Sequence, residues 1–477
     1  MEKMDQKQEE AYQRYFEAYM EAHEKEMLED AKALIAIDSE RMEAGEGMPF
    51  GKGAAKVFKE AEKILLRHGF RTKNYDNYVL TAGLNEKELR LDVLAHLDVV
   101  PAGEEFTVTQ PFCPVVKDGK LYGRGSADDK GPAVAVIYAL RAVKELKLPL
   151  SGNCRFILGA DEECESRDIQ YFFERERHAP MTFSPDANFP LVNLEKGGLH
   201  LSFEAELEEV KEGIRLLSVQ AGTKINVVPG KAQAVLCGID IQKLDELCEE
   251  VHQITDVIFL IGQEPDGIHI CAEGKSAHAA GPQAGKNALT ALLLLLSRVP
   301  FTHGALHERL QNLSALFPHG DYLGQALGVA KEDALSGSLT LSLNLLSFDG
   351  KKLSGAFDCR SPLCANEENT GEVIRRRLQE AGFVTDGRKM YAAHHVPEGS
   401  EFVQTLLSCY SRVTGKEGKA FSIGGGTYVH NIPNGVAFGC AVPEVDNHMH
   451  GADEFMEVEQ MKRSAVIFAL AILALCR

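Results

Sequence analysis

The chain has 477 residues, 44% of them hydrophobic and 25% charged, and a formal net charge of −19. That length exceeds one ordinary core and implies two or three structural units, while the near-average composition excludes a fibre or a disordered chain. The acidic balance speaks against a nucleic-acid partner, which would require a basic patch, and fits a soluble intracellular protein acting on small molecules.

The N-terminal "MEKMDQKQEE" has no apolar run that could serve as a signal peptide. The first 45 residues read as helix, with Leu28, Ala31, Leu34 and Ile35 spaced for one apolar face. A second amphipathic helix is predicted over 54–68, stopped at Gly69. Residues 89–100, "LRLDVLAHLDVV", read as a strand entering a sheet core; 132–147 read as a helix with Pro132 near its start; and 153–163, "NCRFILGADEE", read as another buried strand. Strand and helix alternating at this rhythm predict an α/β fold with a mostly parallel sheet and helices on both faces.

From about residue 194 the pattern changes to half-exposed, alternating strands, as in "GGLHLSFEAEL", "DGIHICAEGKSAH" and the 337–360 stretch, where Asp349-Gly350 marks a hairpin turn. The buried pattern returns near 391 with a helix over 400–415, the strand "GVAFGCAV" and a closing helix. The expected organisation is a catalytic domain in two parts, 1–193 and 391–477, interrupted by an inserted α+β lid domain, 194–390. The apolar runs 288–299 and 465–476 fall short of the roughly 20 residues of a membrane span and read as buried helices. Eleven cysteines with no C-x-x-C pair read as reduced thiols, hence a cytoplasmic protein.

The run "GRGSADDKGP", Gly123 to Pro132, is ambiguous at first sight. Gly-Lys in a glycine-rich run suggests a phosphate cradle, but two acids precede Lys130, no Ser or Thr follows it, and acids would repel a phosphate. A cation is the better partner. His96 and Asp98 form H-x-D at the end of a predicted strand; Glu162 and Glu163 end the next; Asp186 lies in "SPDANFP"; His448 and His450 lie in "NHMHGADE". Ligand sites of open α/β sheets lie at the carboxyl ends of strands, and imidazole with carboxylate suits zinc, and manganese or cobalt nearly as well. Singly, each residue has an ordinary explanation: a capped turn or core histidine for H-x-D, a solvated helix start for paired glutamates, turn chemistry for Ser-Pro-Asp. The argument lies in all of them terminating strand-like segments of one sheet.

"HLDVVPAG", "GRGSADDKGP", "DEE", "SPDANFP", "GKSAHAAGPQAGKNA", "SIGGGTYVHNIPN" and "HGADE" together resemble the co-catalytic zinc exopeptidases that include aminoacylase, carboxypeptidase G and succinyl-diaminopimelate desuccinylase. Within them the "SPDANFP" and "CRSP" segments and the long insert most resemble the PepV-type dipeptidases. The resemblance runs from about 25 to 470 and leaves the first 25 residues without a counterpart. It implies two divalent metal ions, zinc first with manganese or cobalt as alternatives: one held by His96, Asp128 and Asp186, the other by Asp128, Glu163 and His450, with Asp128 bridging and a cis Asp128–Asp129 peptide. It further implies Asp98 orienting His96, a metal-bridged water with Glu162 as general base, His278 as an oxyanion donor, and Asn226 and Arg360 gripping the substrate's terminal carboxylate. Residues Gly424 to Thr427, among them Gly425, would line the same pocket, and His448 would stand by unused. His394 and His395 have no matching role and are expected on the surface.

The implied activity is a metal-dependent dipeptidase acting on a dipeptide or another small amide. An aminoacylase-type amidohydrolase acting on N-acyl amino acids is the alternative. Because His278 and Arg360 lie on the insert and the metal ligands do not, a hinge motion about residues near 194 and 390 is expected. No membrane and no nucleic acid is expected as a partner, and a monomer is favoured over a homodimer, since the insert resembles those whose two halves mimic a dimer contact.

Overall fold

The structure, a computed structural model, describes residues 6–103 and 105–477. The chain folds into two compact units: one runs to Leu194 and resumes over His395–Ser422 and Gly426–Arg477, and the other comprises Glu195–His394 and Ile423–Gly425. The short piece Ile423–Gly425 lies outside the expected 194–390 insert. It joins that unit because the Lys196 N–H donates to the Ile423 carbonyl at 3.0 Å and Arg360 Nη1 donates to the Gly424 carbonyl at 3.3 Å.

The first unit is built on a mixed sheet whose order runs Arg71–Tyr75, Val79–Gly83, Asn153–Gly159, Leu89–His96, Met181–Ser184, Gly435–Ala437, Leu191–Glu195. Its centre is parallel: Leu89–His96 pairs in parallel with both Asn153–Gly159 and Met181–Ser184, and Gly435–Ala437 with Met181–Ser184. The flanking pairs are antiparallel. Alternation along the central strands sorts side chains to two faces. Leu91, Val93, Ala95, Phe156 and Leu158 join a large core with the helices Gln6–Ile35, Lys52–Arg67, Lys130–Glu145, Glu401–Thr414 and Val458–Cys476. Leu94 and Ile157 face the other way, into a smaller cluster with Ile169, Phe172, Tyr428 and Ile432, which the short helix Arg167–Phe173 covers.

The first helix ends at Ile35 rather than near 45: Asp38 Oδ1 accepts the Glu40 N–H at 3.1 Å and Ser39 Oγ donates to the Leu97 carbonyl at 2.6 Å, so the chain turns out of the helix to meet the sheet. Its early turns are core: Phe16, Tyr19 and Met20 are buried, and Lys462 on the closing helix pairs with Glu21 and Glu24 at 2.7 and 2.6 Å. The predicted strands and helices otherwise shift by a few residues, the usual fraying of such boundaries. The "GVAFGCAV" stretch splits into Gly435–Ala437 and Cys440–Ala441.

The second unit carries an eight-stranded sheet in the order Ile258–Glu264, Gly267–Glu273, Lys231–Cys237, Arg215–Ala221, Thr340–Phe348, Lys352–Ser361, Gly197–Glu206, Val384–Thr385. Its pairs are antiparallel, and Asp349-Gly350 turns the Thr340–Phe348/Lys352–Ser361 hairpin. A core that includes Leu289, Leu292, Leu296, Leu310 and Leu378 brings helices against this sheet. The run 288–299 is therefore a buried helix, and among the described residues no helix is long and apolar enough to cross a membrane. His394 and His395 form a short half-buried strand rather than lying on the surface.

Candidate metal centre and comparisons

Three central strands end at chemistry. Leu89–His96 terminates on His96, Asn153–Gly159 leads into Glu162 and Glu163, and Met181–Ser184 leads into Asp186. Asp128 lies two residues before the helix that starts at Lys130, joined by a cis peptide to Asp129 at the helix N-cap. One oxygen of Asp128 lies 2.9 Å from His96 Nε2, and the other lies 2.7 Å from His450 Nε2. Glu163 Oε1 is 3.1 Å from His450 Nε2, and Asp186 Oδ2 is 3.7 Å from His96 Nε2. Ligand atoms of His96, Asp128 and Glu163 fall within 4.8 Å of one another, and so do those of His96, Glu162 and Asp186. His448 is kept apart, its Nδ1 at 3.1 Å from the Ala452 carbonyl.

The electrostatics of this cluster follow from its burial. Burial, reinforced by the Asp128 charge, pushes the Asp186 carboxyl up to about 7. Burial and the Asp186 charge raise Glu162 well above the ordinary carboxylate range, and burial and the Asp128 charge raise Glu163. Hydrogen bonds donated to the carboxylates of Asp128 and Glu163 hold the His450 imidazolium, whose pKa is pushed up to about 11. For His96, burial opposes protonation, but Asp128 and Asp98 more than offset it. Carboxylates therefore crowd in excess around two imidazoles, and Asp129 Oδ1 is buried without a hydrogen bond. Buried carboxylates in excess beside imidazoles at this spacing could hold divalent cations, whose charge would relieve the repulsion that raises Glu162, Glu163 and Asp186.

The supporting contacts differ in part from expectation. His96 Nδ1 lies 3.1 Å from the backbone carbonyl of Asp98 and 3.4 Å from its carboxylate. The other carboxylate oxygen of Asp98 accepts the Glu163 N–H at 3.1 Å, so this side chain ties the two strand ends together. Lys130 does not face an anion: its Nζ donates to the Ile37 carbonyl at 2.7 Å, and burial pushes its pKa down to about 7. Gly131 is required by close approach, because a Cβ there would sit 2.0 Å from the Ser126 carbonyl oxygen.

Sequence reasoning missed the pair that shapes the Asp128 loop. Glu454 Oε1 accepts N–H bonds from Gly125, Ala127 and Asp128 at 3.1, 2.8 and 3.2 Å, and its Oε2 lies 2.6 Å from Arg124 Nη1. Both side chains are buried, and Arg124 Nη2 also reaches the His450 carbonyl at 3.3 Å. The available signal was an arginine between glycines and an acid closing "HGADE". Arg124→Met would strand a buried carboxylate, and a loss of about 3–5 kcal/mol in urea unfolding is expected. A loss under about 1 kcal/mol would show that the pair does not hold the loop.

Of the remaining candidates, Asn226 and His278 lie side by side in the second unit. Val227 pairs with His278 in a two-stranded ribbon, and the Asn226 carbonyl accepts the Ala279 N–H at 2.9 Å. His278 Nδ1 accepts the Ala280 N–H at 3.1 Å, which leaves the proton of the neutral ring on Nε2 as a donor. Arg360 lies on strand Lys352–Ser361 and forks onto Asp358, Nε to Oδ1 and Nη2 to Oδ2 at 2.8 Å each. Although burial acts upward, His200 and Arg360 hold Asp358 below the ordinary carboxylate range. Arg360 Nη1 faces the Gly424 carbonyl and the Tyr391 hydroxyl, each at 3.3 Å, and a Cβ at neighbouring Gly425 would meet nothing within 4 Å. Thr427 belongs to the first unit, where its side chain caps the short turn Tyr428–Asn431.

Residues 93–474 match the family described as Peptidase family M20/M25/M40. The chain belongs to this family. The Beta-Ala-Xaa dipeptidase of Lactobacillus delbrueckii subsp. lactis is 33% identical over 470 residues, covering 97% of this chain and 98% of that one. Among solved structures, human carnosine dipeptidase 1 superposes with a TM-score of 0.60 at 17% identity, covering 98% of each chain. The dipeptidase Dug1p from Saccharomyces cerevisiae gives 0.59 at 11% identity, covering 97% of this chain and 98% of that one. At such identities these structures speak for the fold, a mostly parallel α/β unit with an inserted second unit. The family membership makes this chain a peptidase.

Proposed function

We propose that this M20 peptidase is a cytoplasmic dipeptidase that uses two divalent metal ions, zinc first among them. The observation that carries the reading is Asp128, whose two oxygens face His96 and His450 separately, with Glu163 and Asp186 beside those rings. His96, Asp128 and Asp186 would hold one ion, and Asp128, Glu163 and His450 the other. When bound, the ions would acidify a shared water and polarise the scissile carbonyl. The chain's cysteines are free thiols, in keeping with a reducing compartment.

The chain's own residues supply the rest. Glu162 takes a proton from water as oxygen bonds to the carbonyl carbon, then returns it to the amine nitrogen as the C–N bond breaks. Asp98 holds the His96 and Glu163 strand ends in register. His278 donates from Nε2 toward the oxygen on which charge develops. Arg360, held by Asp358 through Nε and Nη2, would turn Nη1 from the Gly424 carbonyl and the Tyr391 hydroxyl to the substrate's terminal carboxylate, assisted by Asn226, Gly425 and Thr427. The 33% identity to a Beta-Ala-Xaa dipeptidase supports a small peptide as substrate.

The test is hydrolysis of several L,L-dipeptides, a β-alanyl dipeptide, a tripeptide and an N-acetyl amino acid by metal-stripped protein before and after zinc, manganese or cobalt is restored. Cleavage confined to dipeptides and dependent on metal is expected. Preference for the acetylated substrate would transfer the chain to aminoacylase-type chemistry, and no turnover with any metal would refute the dipeptidase reading.

A further inference from the structure

We propose that Asp168 and Tyr428 are positioning residues for the loop that carries Glu162 and Glu163, an inference that rests on Glu162 being the base. Neither residue belongs to the ligand set. Asp168 is fully buried, and its Oδ2 accepts the backbone N–H groups of Ala160 and Asp161 at 2.7 and 2.9 Å, the two residues that immediately precede Glu162. The same oxygen accepts the Tyr428 hydroxyl, while Oδ1 accepts the Ile169 N–H at 2.7 Å. One carboxylate thus fixes the path of the chain as it leaves strand Asn153–Gly159.

The phenol is placed for this bond and not merely for packing. The body of Tyr428 sits in the apolar cluster of Val79, Leu94, Ile157, Ile169 and Phe172, which a phenylalanine would fill equally well. Its ring stands edge-on to the His96 ring, with centroids 6.1 Å apart and an interplanar angle of 87°. Its hydroxyl ends where the strand carries Gly159, and a Cβ there would lie 2.2 Å from the phenol oxygen and 2.3 Å from Asp168 Oδ2. A side chain at 159 and this hydrogen bond are mutually exclusive, so strand end, carboxylate and phenol form one fitted unit. Farther along the loop Asp161 pairs with Arg41 and accepts the Arg167 N–H at 3.0 Å. Asp98 then secures the Glu163 N–H. The loop is tethered on both sides of Glu162 while the Glu162 carboxylate is left to the substrate.

The test uses the full chain carrying Tyr428→Phe or Asp168→Asn. In metal-loaded protein, kcat is expected to fall about 10–100-fold with KM within about twofold and metal content unchanged, as for other groups that orient reacting residues from behind. In metal-free protein, amide hydrogen exchange over residues 160–163 is expected to accelerate in both variants. Wild-type kcat and exchange in Tyr428→Phe would overturn the proposal, as would a kcat loss that merely tracks lost metal or a lowered melting temperature. Glu162→Asp provides the link: in that background Tyr428→Phe is expected to cost less than about threefold, because the group it positions is already displaced. A full additive loss there would place the action of Tyr428 elsewhere. Full activity in Glu162→Gln would instead refute the base reading itself, whatever the exchange data show.

Discussion

Glu162→Gln is expected to lower kcat by about 10²–10⁴-fold while leaving both metals and KM essentially unchanged. Glutamine matches the shape and hydrogen-bonding reach of the acid but cannot take a proton. Burial and the charges of Asp186, Glu163 and Asp128 raise the Glu162 carboxyl well above its ordinary range, a setting in which proton uptake is favoured. The geometry also contains a competing arrangement, because an oxygen of Glu162 lies within 4.8 Å of ligand atoms of His96 and Asp186. In that arrangement Glu162 would be a ligand. Asp128 Oδ1 already stands 2.9 Å from His96 Nε2, which favours Asp128 in that place and Glu162 as the base. Metal analysis beside the kinetics separates the two: activity and one metal lost together would make Glu162 a ligand, and retained activity would remove it from the chemistry.

Asp128→Asn is expected to weaken metal binding by at least about 100-fold and to abolish activity at metal concentrations that saturate the wild type. The reason is that one side chain serves two histidines: hydrogen bonds from His450 and His96 outweigh the effect of burial and hold the Asp128 carboxyl far below its ordinary range. An amide offers one oxygen and one N–H₂ group, so it can face one cation and must repel the other. Titration of stripped protein with zinc should give a stoichiometry below two for the variant against two for the wild type. Unchanged stoichiometry would show that Asp128 does not bridge. His448→Ala is the internal control, since His448 lies against the Ala452 carbonyl and makes no contact with Asp128, Glu163 or Asp186 among those described.

Much of this architecture was legible in the sequence because it depends on short-range pattern. Continuous apolar runs such as "LDVLAH" and "FILG" belong to strands buried on both faces, and alternating runs such as "LHLSFEAEL" to strands with one wet face. The chemical residues His96, Glu162, Glu163 and Asp186 could be found since each follows such a run directly. The sequence predicts the first helix to 45 because no glycine or proline interrupts 36–44, whereas it ends at Ile35 because Ser39 bonds to the carbonyl of Leu97, a distant contact with no local signature. The grouping of Ile423–Gly425 with the second unit rests on one backbone contact to Lys196 and one from the Arg360 side chain, neither of which leaves a local signature.

The sequence by itself determined the class of fold and set acids and histidines at the ends of strand-like segments, since periodicity and residue type act over a few neighbours. Only the tertiary structure decided which acids share which histidine, that Lys130 turns to a carbonyl of the first helix's exit, and that Glu454 and Arg124 grip the Asp128 loop across 330 residues of chain. It alone brought Tyr428 to Asp168 over a separation of 260 residues. Such pairs are selected by burial: once the sheet and helices exclude water, each enclosed polar group must find its partner wherever the topology has placed one.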